Sequence, residues 1–293
     1  MFFIDTKVFY ITLLYVQCSD AWGAHGHNIT AELAYGLLSP VTVHRLSSEY
    51  NITTMEEFRH LANYADEIKR RKGYEWSYEL HYTDVDAPPL SRCTLDMVED
   101  CISERCVVGA INNYTVRLSH DHTTPADNLR FLVHFIGDIF QPFHMGYASD
   151  RGGNTIHVVY LAQANHPTNL HAVWDTSMIE EAIHDVNGYE RFIDAIHVEK
   201  YTNQFTYPEQ IGNYSLGLIC RMGLYYDGGK PIRDGTVLSE GYYHRNIQTV
   251  IDQLAYSAHY MAYVLNRWAE EEGQTFLYGF TNDSTCPLGG CHL

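Results

Sequence analysis

Apolar positions along this chain recur mainly at spacings of three and four, the period of helices with one buried face. The clearest run follows Thr124-Pro125-Ala126-Asp127. There, Thr as N-cap, Pro at the first helical position and an acid in the first turn predict a helix start. Leu129, Leu132, Val133, Ile136 and Phe140 then share a face, and Pro142 is expected to end the helix. His134 and Asp138 stand four apart on roughly the opposite side, flanked by Phe131 and Phe135. A helix apolar nearly all round must neutralise such a pair, either through a core hydrogen bond or through a cation bound by both. Beyond Pro142, His144 falls in the following turn.

The other elements follow the same rules. Trp22-Gly-Ala-His-Gly-His27 leads into a helix through Ile29, Ala31, Leu33, Ala34 and Leu37. Ser39-Pro40 starts a second, and the capping box Thr54-Met-Glu-Glu57 a third, expected to run through Phe58, Leu61, Ala62, Ala65 and Ile68. Asp66 sits beside the apolar Ala65, with Lys69 a turn behind, which is the pattern of a salt-bridge partner near the core. Glu79 to Asp84 reads as extended or a turn, and residues 91 to 125 as a cysteine-tied excursion plus a short helix. Asp150-Arg-Gly-Gly-Asn154 is a glycine turn before the strand-like Ile156 to Leu161, expected beside the His144 end of the central helix as part of a hairpin. Asn169 caps a helix that carries His171 and Asp175 four apart. Met178 to Ile183, Tyr189 to Ile196 and Ser215 to Leu224 read as helical, and Ser239 to about Glu271 as one long amphipathic helix. The sum is a mainly α, single-domain chain with a small β-hairpin.

Composition adds compartment and charge. Lys7, the apolar run Val8 to Val16 and the small residues Ser19 and Ala21 read as a signal peptide over 1–21, leaving 22–293 as the mature domain. No later stretch is long and apolar enough for a membrane anchor, so a secreted or secretory-lumen protein is expected. The mature part keeps Cys93, Cys101, Cys106, Cys220, Cys286 and Cys291, an even set that suggests three disulfides among fifteen possible connectivities. Short loops favour Cys101 with Cys106 and Cys286 with Cys291, leaving Cys93 for Cys220. Sequons at Asn28, Asn51, Asn113, Asn213 and Asn282 fit glycosylation of an exported chain. The formal net charge of −17 excludes nucleic-acid binding through a basic surface, so a polyanionic substrate would need bound divalent metals to attract it.

Two His-x-x-x-Asp pairs and a further His, with no cysteine in either pair, have the donor character of a hard-metal or zinc cluster. A free α-amino group at Trp22 with its own carbonyl is a natural chelate that His27 could complete. Taken alone, that segment reads more simply as a packed N-terminal Trp and a surface His.

Together, Trp22-Gly-x-x-Gly-His27, Ala65-Asp66-Glu67, Leu80-His81-Tyr82, His134-x3-Asp138-x5-His144 and Asn169-Leu-His171-x3-Asp175 resemble the S1/P1 nuclease family. The likeness runs in motif order from Trp22 to Asp175, and the cysteine spacing matches. It implies the helical fold shared with phospholipase C, three Zn²⁺ per chain, and hydrolysis of single-stranded RNA and DNA and of 3′-nucleotides to 5′-phosphate and 3′-hydroxyl products. By position, Asp66, His81 and His134 would hold one zinc and Trp22 with His27 a second, with Asp138 bridging them. His144, His171 and Asp175 would hold a third. The resemblance also implies catalytic roles for Asp66 and Lys69, and substrate contacts from Tyr82, Asp84 and Asn154. No protein partner is implied. A zinc phospholipase C and an inactive secreted metal-binding or host-interaction protein are the rival readings; Asp175, where phospholipases use Glu, and the Trp22 to His27 spacing favour the nuclease.

Overall fold

The fold is built round one helix, Pro125–Asp138, whose last two turns are enclosed on every side: all residues from Phe131 to Tyr147 are buried. The computed structural model describes residues 22–121, 123–161 and 168–270. The expected signal segment, the Asn282 sequon and the Cys286 and Cys291 pair lie outside the described residues.

The helices are α1 (Ala24–Tyr35), α2 (Pro40–Tyr50), α3 (Met55–Arg59), α4 (Tyr64–Ile68), α5 (Met97–Asp100), α6 (Val107–His120), α7 (Pro125–Asp138), α8 (Leu170–Ala172), α9 (Met178–Asp185), α10 (Tyr189–Ala195), α11 (Pro208–Met222) and α12 (Glu240–Glu270). Short strands β1 (His157–Tyr160), β2 (Thr168–Asn169), β3 (Tyr226–Asp227), β4 (Lys230–Pro231) and β5 (Thr236–Leu238) complete the description. The chain is thus mainly helical. Helix α7 packs against α6, α4, α1 and α12, and α12 lies along α1 and α2.

Burying a helix C-terminus leaves carbonyls that need donors. The scaffold helices supply them: Ser257 Oγ donates to the Ile136 carbonyl at 3.1 Å, Ser215 Oγ to that of Ile139 at 2.8 Å, and Gln253 Nε2 to that of Phe140. Polar residues of α11 and α12 therefore make it possible to place the end of α7 in the core.

Several local readings change. The central helix stops at Asp138, four residues before Pro142, which instead opens a 3₁₀ turn over Pro142–Met145. Gln141 before it is extended, as a residue preceding proline prefers, and its side chain accepts from Phe143 N. Thr124 makes no side-chain cap, because its ψ of 55° departs from the extended geometry that lays a cap hydroxyl over the first turn. The Thr54–Glu57 capping box forms, but the helix it starts breaks after Arg59 and resumes at Tyr64. Residues Glu75–His81 form a 3₁₀ helix, and only Tyr82 onward is extended. The glycine turn at 150–154 precedes the hairpin and is not its loop. β1 pairs antiparallel with β2, His157 opposite Asn169, and parallel with β5, Val158 opposite Thr236.

Disulfides join Cys93 to Cys220 and Cys101 to Cys106. The first spans 127 residues and ties the segment before α5 to the end of α11. Replacing both Cys93 and Cys220 by Ala is expected to lower unfolding stability by about 2–5 kcal/mol. An unchanged urea midpoint would show that the link constrains nothing. Asn51 and Asn113 are exposed. Asn28 instead bonds Asn63 and precedes the buried Ile29 and Thr30, while Asn213 bonds Leu95 N and Glu209 O.

Candidate metal centre

Three sets of donor atoms, each with its members within 4.8 Å of one another, meet around the end of α7: His27 with His134 and Asp138, Asp66 with His81 and His134, and His144 with His171 and Asp175. Asp138, fully buried, stands between them. Its Oδ2 faces His81 Nδ1 at 3.0 Å and His134 Nε2 at 3.2 Å, while its Oδ1 faces His27 Nε2 at 3.4 Å and His144 Nδ1 at 3.6 Å. Asp66 Oδ1 completes the first side, 3.5 Å from both His81 Nδ1 and His134 Nε2. In the third set, Asp175 Oδ2 lies 3.3 Å from His171 Nε2 and Oδ1 lies 3.7 Å from His144 Nε2.

Backbone carbonyls aim the rings. His134 Nδ1 bonds the Ala62 carbonyl at 2.5 Å, His144 Nδ1 that of His81 at 2.8 Å, and His171 Nδ1 that of Gly152 at 2.6 Å. Each bond places the proton on Nδ1 and leaves Nε2 as the inward electron-pair donor, the usual outer-shell arrangement of metal-binding histidine. The break between α3 and α4 has its reason here: it frees the Ala62 carbonyl from helical bonding for His134. The π-helical segment Val173–Ser177 carries Asp175, and Gln141 Nε2 donates to its Oδ1. Gly23 N donates to the Asp175 carbonyl at 2.8 Å, which brings the buried Trp22 to the same place.

Charge is distributed as the geometry requires. Burial lowers the pKa of His27 and His171, and pushes His81 down to about 4. Against burial, Asp138 and then Asp66 raise His134 when no cation is bound, so a metal seated there would take the place of the proton on Nε2. Burial likewise opposes ionisation of Asp66 and Asp138, but His134 holds both carboxyls below their ordinary range. Lys69, itself buried, adds to this at Asp66 through Nζ at 2.7 Å from Oδ1.

The set passes a test of fit for divalent metal. His27 Nε2, His144 Nε2 and both Asp138 oxygens, all on the cluster side of their groups, are buried without a hydrogen-bond partner. Unsatisfied buried groups of this kind are costly. Donors about 2.0–2.1 Å from a tetrahedral ion lie roughly 3.3 Å apart, and the separations of 3.0 to 3.7 Å bracket that value. Imidazole nitrogen and carboxylate oxygen without thiolate suit zinc.

The centre opens on a pocket whose walls include Tyr78, Tyr82, Asp84, Phe143, Arg151 and Asn154, with His81, His144 and His171 at its base. Tyr82, Asp84 and Asn154 are therefore brought together beside the cluster. Three contributors escaped sequence reasoning: Gln141, Arg151 and the carbonyl of Gly152. A fourth, Gly137, carried a signal, since glycine inside a helix is unfavourable unless something approaches closely. A Cβ there would lie 2.6 Å from His27 Nδ1. The cluster Glu181, His184 and Asp185 on α9 is a further group of donor type, intermediate to exposed.

Fold and site define a helical protein enclosing three histidine–aspartate groups fit to hold metal beside an aromatic pocket. The sequence profile of the S1/P1 Nuclease family matches residues 22–270, and the chain belongs to that family. It is 28% identical to Endonuclease 1 of Arabidopsis thaliana over 297 residues, covering 90% of this chain and 93% of the relative. Nuclease S1 of Aspergillus oryzae is 30% identical over 273 residues, 85% of this chain and 92% of the relative. Nuclease P1 of Penicillium citrinum is 34% identical over 198 residues, 66% and 69% respectively.

Proposed function

We propose that the protein is a secreted, zinc-dependent phosphodiesterase that cleaves single-stranded RNA and DNA to 5′-phosphate products and removes phosphate from 3′-nucleotides. The observation that carries this reading is a buried histidine–aspartate centre opening on an aromatic pocket, in a chain of this family. Residues 1–21 would be removed as a signal peptide, freeing the Trp22 amine, and 22–293 would be the catalytic domain. Among the described residues no helix is long and apolar enough to cross a membrane.

Asp66, His81 and His134 would hold one zinc, Trp22 and His27 a second with Asp138 shared, and His144, His171 and Asp175 a third. Bound zinc supplies an activated water with a pKa near ~7 and a Lewis acid for phosphoryl oxygens. Asp66 would also orient the attacking water. Lys69, held on Asp66, supplies positive charge where negative charge develops on phosphorus. Tyr82 offers a stacking face, and Asp84 and Asn154 offer hydrogen-bonding groups for a base edge. Stacking tolerates any base but requires an unpaired one, hence the single-strand preference.

The test is metal analysis of the mature protein alongside turnover of single-stranded RNA, single-stranded and duplex DNA, a 3′-nucleotide and phosphatidylcholine. Three zincs with hydrolysis of the single strands and the 3′-nucleotide are expected. Activity on lipid alone, or zinc without any turnover, would reverse the reading.

The pocket also carries a pH prediction. Burial, then the nearby Asp150, raises Asp84 to about 6. Below that pH the carboxyl is protonated and can donate to a base; above it, the group only accepts. KM is therefore expected to change through pH ~6, and Asp84→Asn to remove that inflection. Its persistence in the variant would assign it to another group.

A further inference from the structure

We propose that Arg151 reads a second phosphate, on the 5′ side of the nucleoside held in the pocket, and so favours nucleic-acid chains and 5′-phosphorylated 3′-nucleotides over 3′-nucleotides with a free 5′-hydroxyl. The inference rests on the proposed nuclease reading and extends it to substrate choice.

The backbone of Arg151 is fixed between the metal centre and the base-contacting wall. It closes the 3₁₀ turn Ala148–Asp150 in the left-handed conformation, φ 55°. Its carbonyl accepts from Asn154 Nδ2 at 2.9 Å, and the carbonyl of the next residue, Gly152, holds His171. A left-handed conformation costs any residue with a Cβ, so this position would be easier for Gly or Asn. The position nevertheless carries the one arginine or lysine that lines the described pocket.

Arg151 is exposed, whereas Lys69 is buried at the other end, against Asp66. The two cations are thus divided between the metal centre and the pocket mouth. In the proposed binding mode, with the 3′-phosphate at the centre and the base on Tyr82, the 5′ side would face the exposed rim that carries Arg151, where Asp84 and a net charge of −17 would repel a further phosphate. A guanidinium there reverses that local field and offers a paired donor fork to phosphate oxygens.

The experiment compares kcat/KM for adenosine 3′,5′-bisphosphate and adenosine 3′-monophosphate on the zinc-loaded enzyme. The wild type is expected to favour the bisphosphate. Arg151→Gln should lower the bisphosphate-to-monophosphate ratio about tenfold, through KM, and Arg151→Lys should restore part of it. An equal fall for both substrates would make Arg151 a counter-charge to Asp84 and overturn the proposal, as would an unchanged ratio. Turnover of neither substrate by the wild type would overturn the nuclease reading and this inference together.

Discussion

Asp138→Asn is expected to reduce turnover by about a thousandfold or more and to lower bound zinc below the wild-type content, proposed above as three per chain. Loss of an outer-shell partner alone costs about 10–100-fold in metal affinity or activity. Asp138 is more exposed to such loss than any outer-shell group, because its two oxygens face different donor sets: Oδ2 faces His81 and His134, and Oδ1 faces His27 and His144. An amide keeps one carbonyl oxygen and replaces the other by a donor NH₂, so one side loses its ligand whichever way the group turns. Metal analysis, with single-turnover kinetics on a short single strand, decides it. Full zinc content with wild-type turnover would show that Asp138 serves the metal-free core only.

Gly137→Ala is expected to lower activity at least tenfold while leaving the helix content intact. The new methyl would sit 2.6 Å from His27 Nδ1. That ring cannot swing clear, since it is 1% exposed and stacked on His134 at 4.0 Å between centroids. Overpacking of this kind costs about 1–3 kcal/mol, and the better helix propensity of Ala offsets about 1 kcal/mol of it. Thermal stability should therefore fall modestly, while the displaced imidazole shows in metal content and rate. Unchanged activity would mean that His27 is not held where the centre needs it.

The features legible in the sequence were those with local causes. The stripe from Leu129 to Ile136, the Thr54–Glu57 box, the Asn169 cap and the long α12 each follow from residues a few positions apart. The His134–Asp138 and His171–Asp175 spacings likewise marked the site. The unread features depend on distant partners. The interruption before Tyr64 answers to a histidine 72 positions away, through the Ala62 carbonyl. Early termination of α7 depends on Ser215, Gln253 and Ser257 from helices formed much later in the chain. Gln141 looked like any polar residue before a proline, and Arg151 like any charge in a glycine turn.

The carbonyls behind His134, His144 and His171 also bear on how ions enter and leave. Because main-chain carbonyls fix the orientation of these rings, a chelator is expected to empty the centre without collapsing the cage. Loading and unloading would then be an exchange with the surroundings, repeatable without an unfolding cycle, so that under the proposed function the ion supply of the medium would set how much of the protein is active.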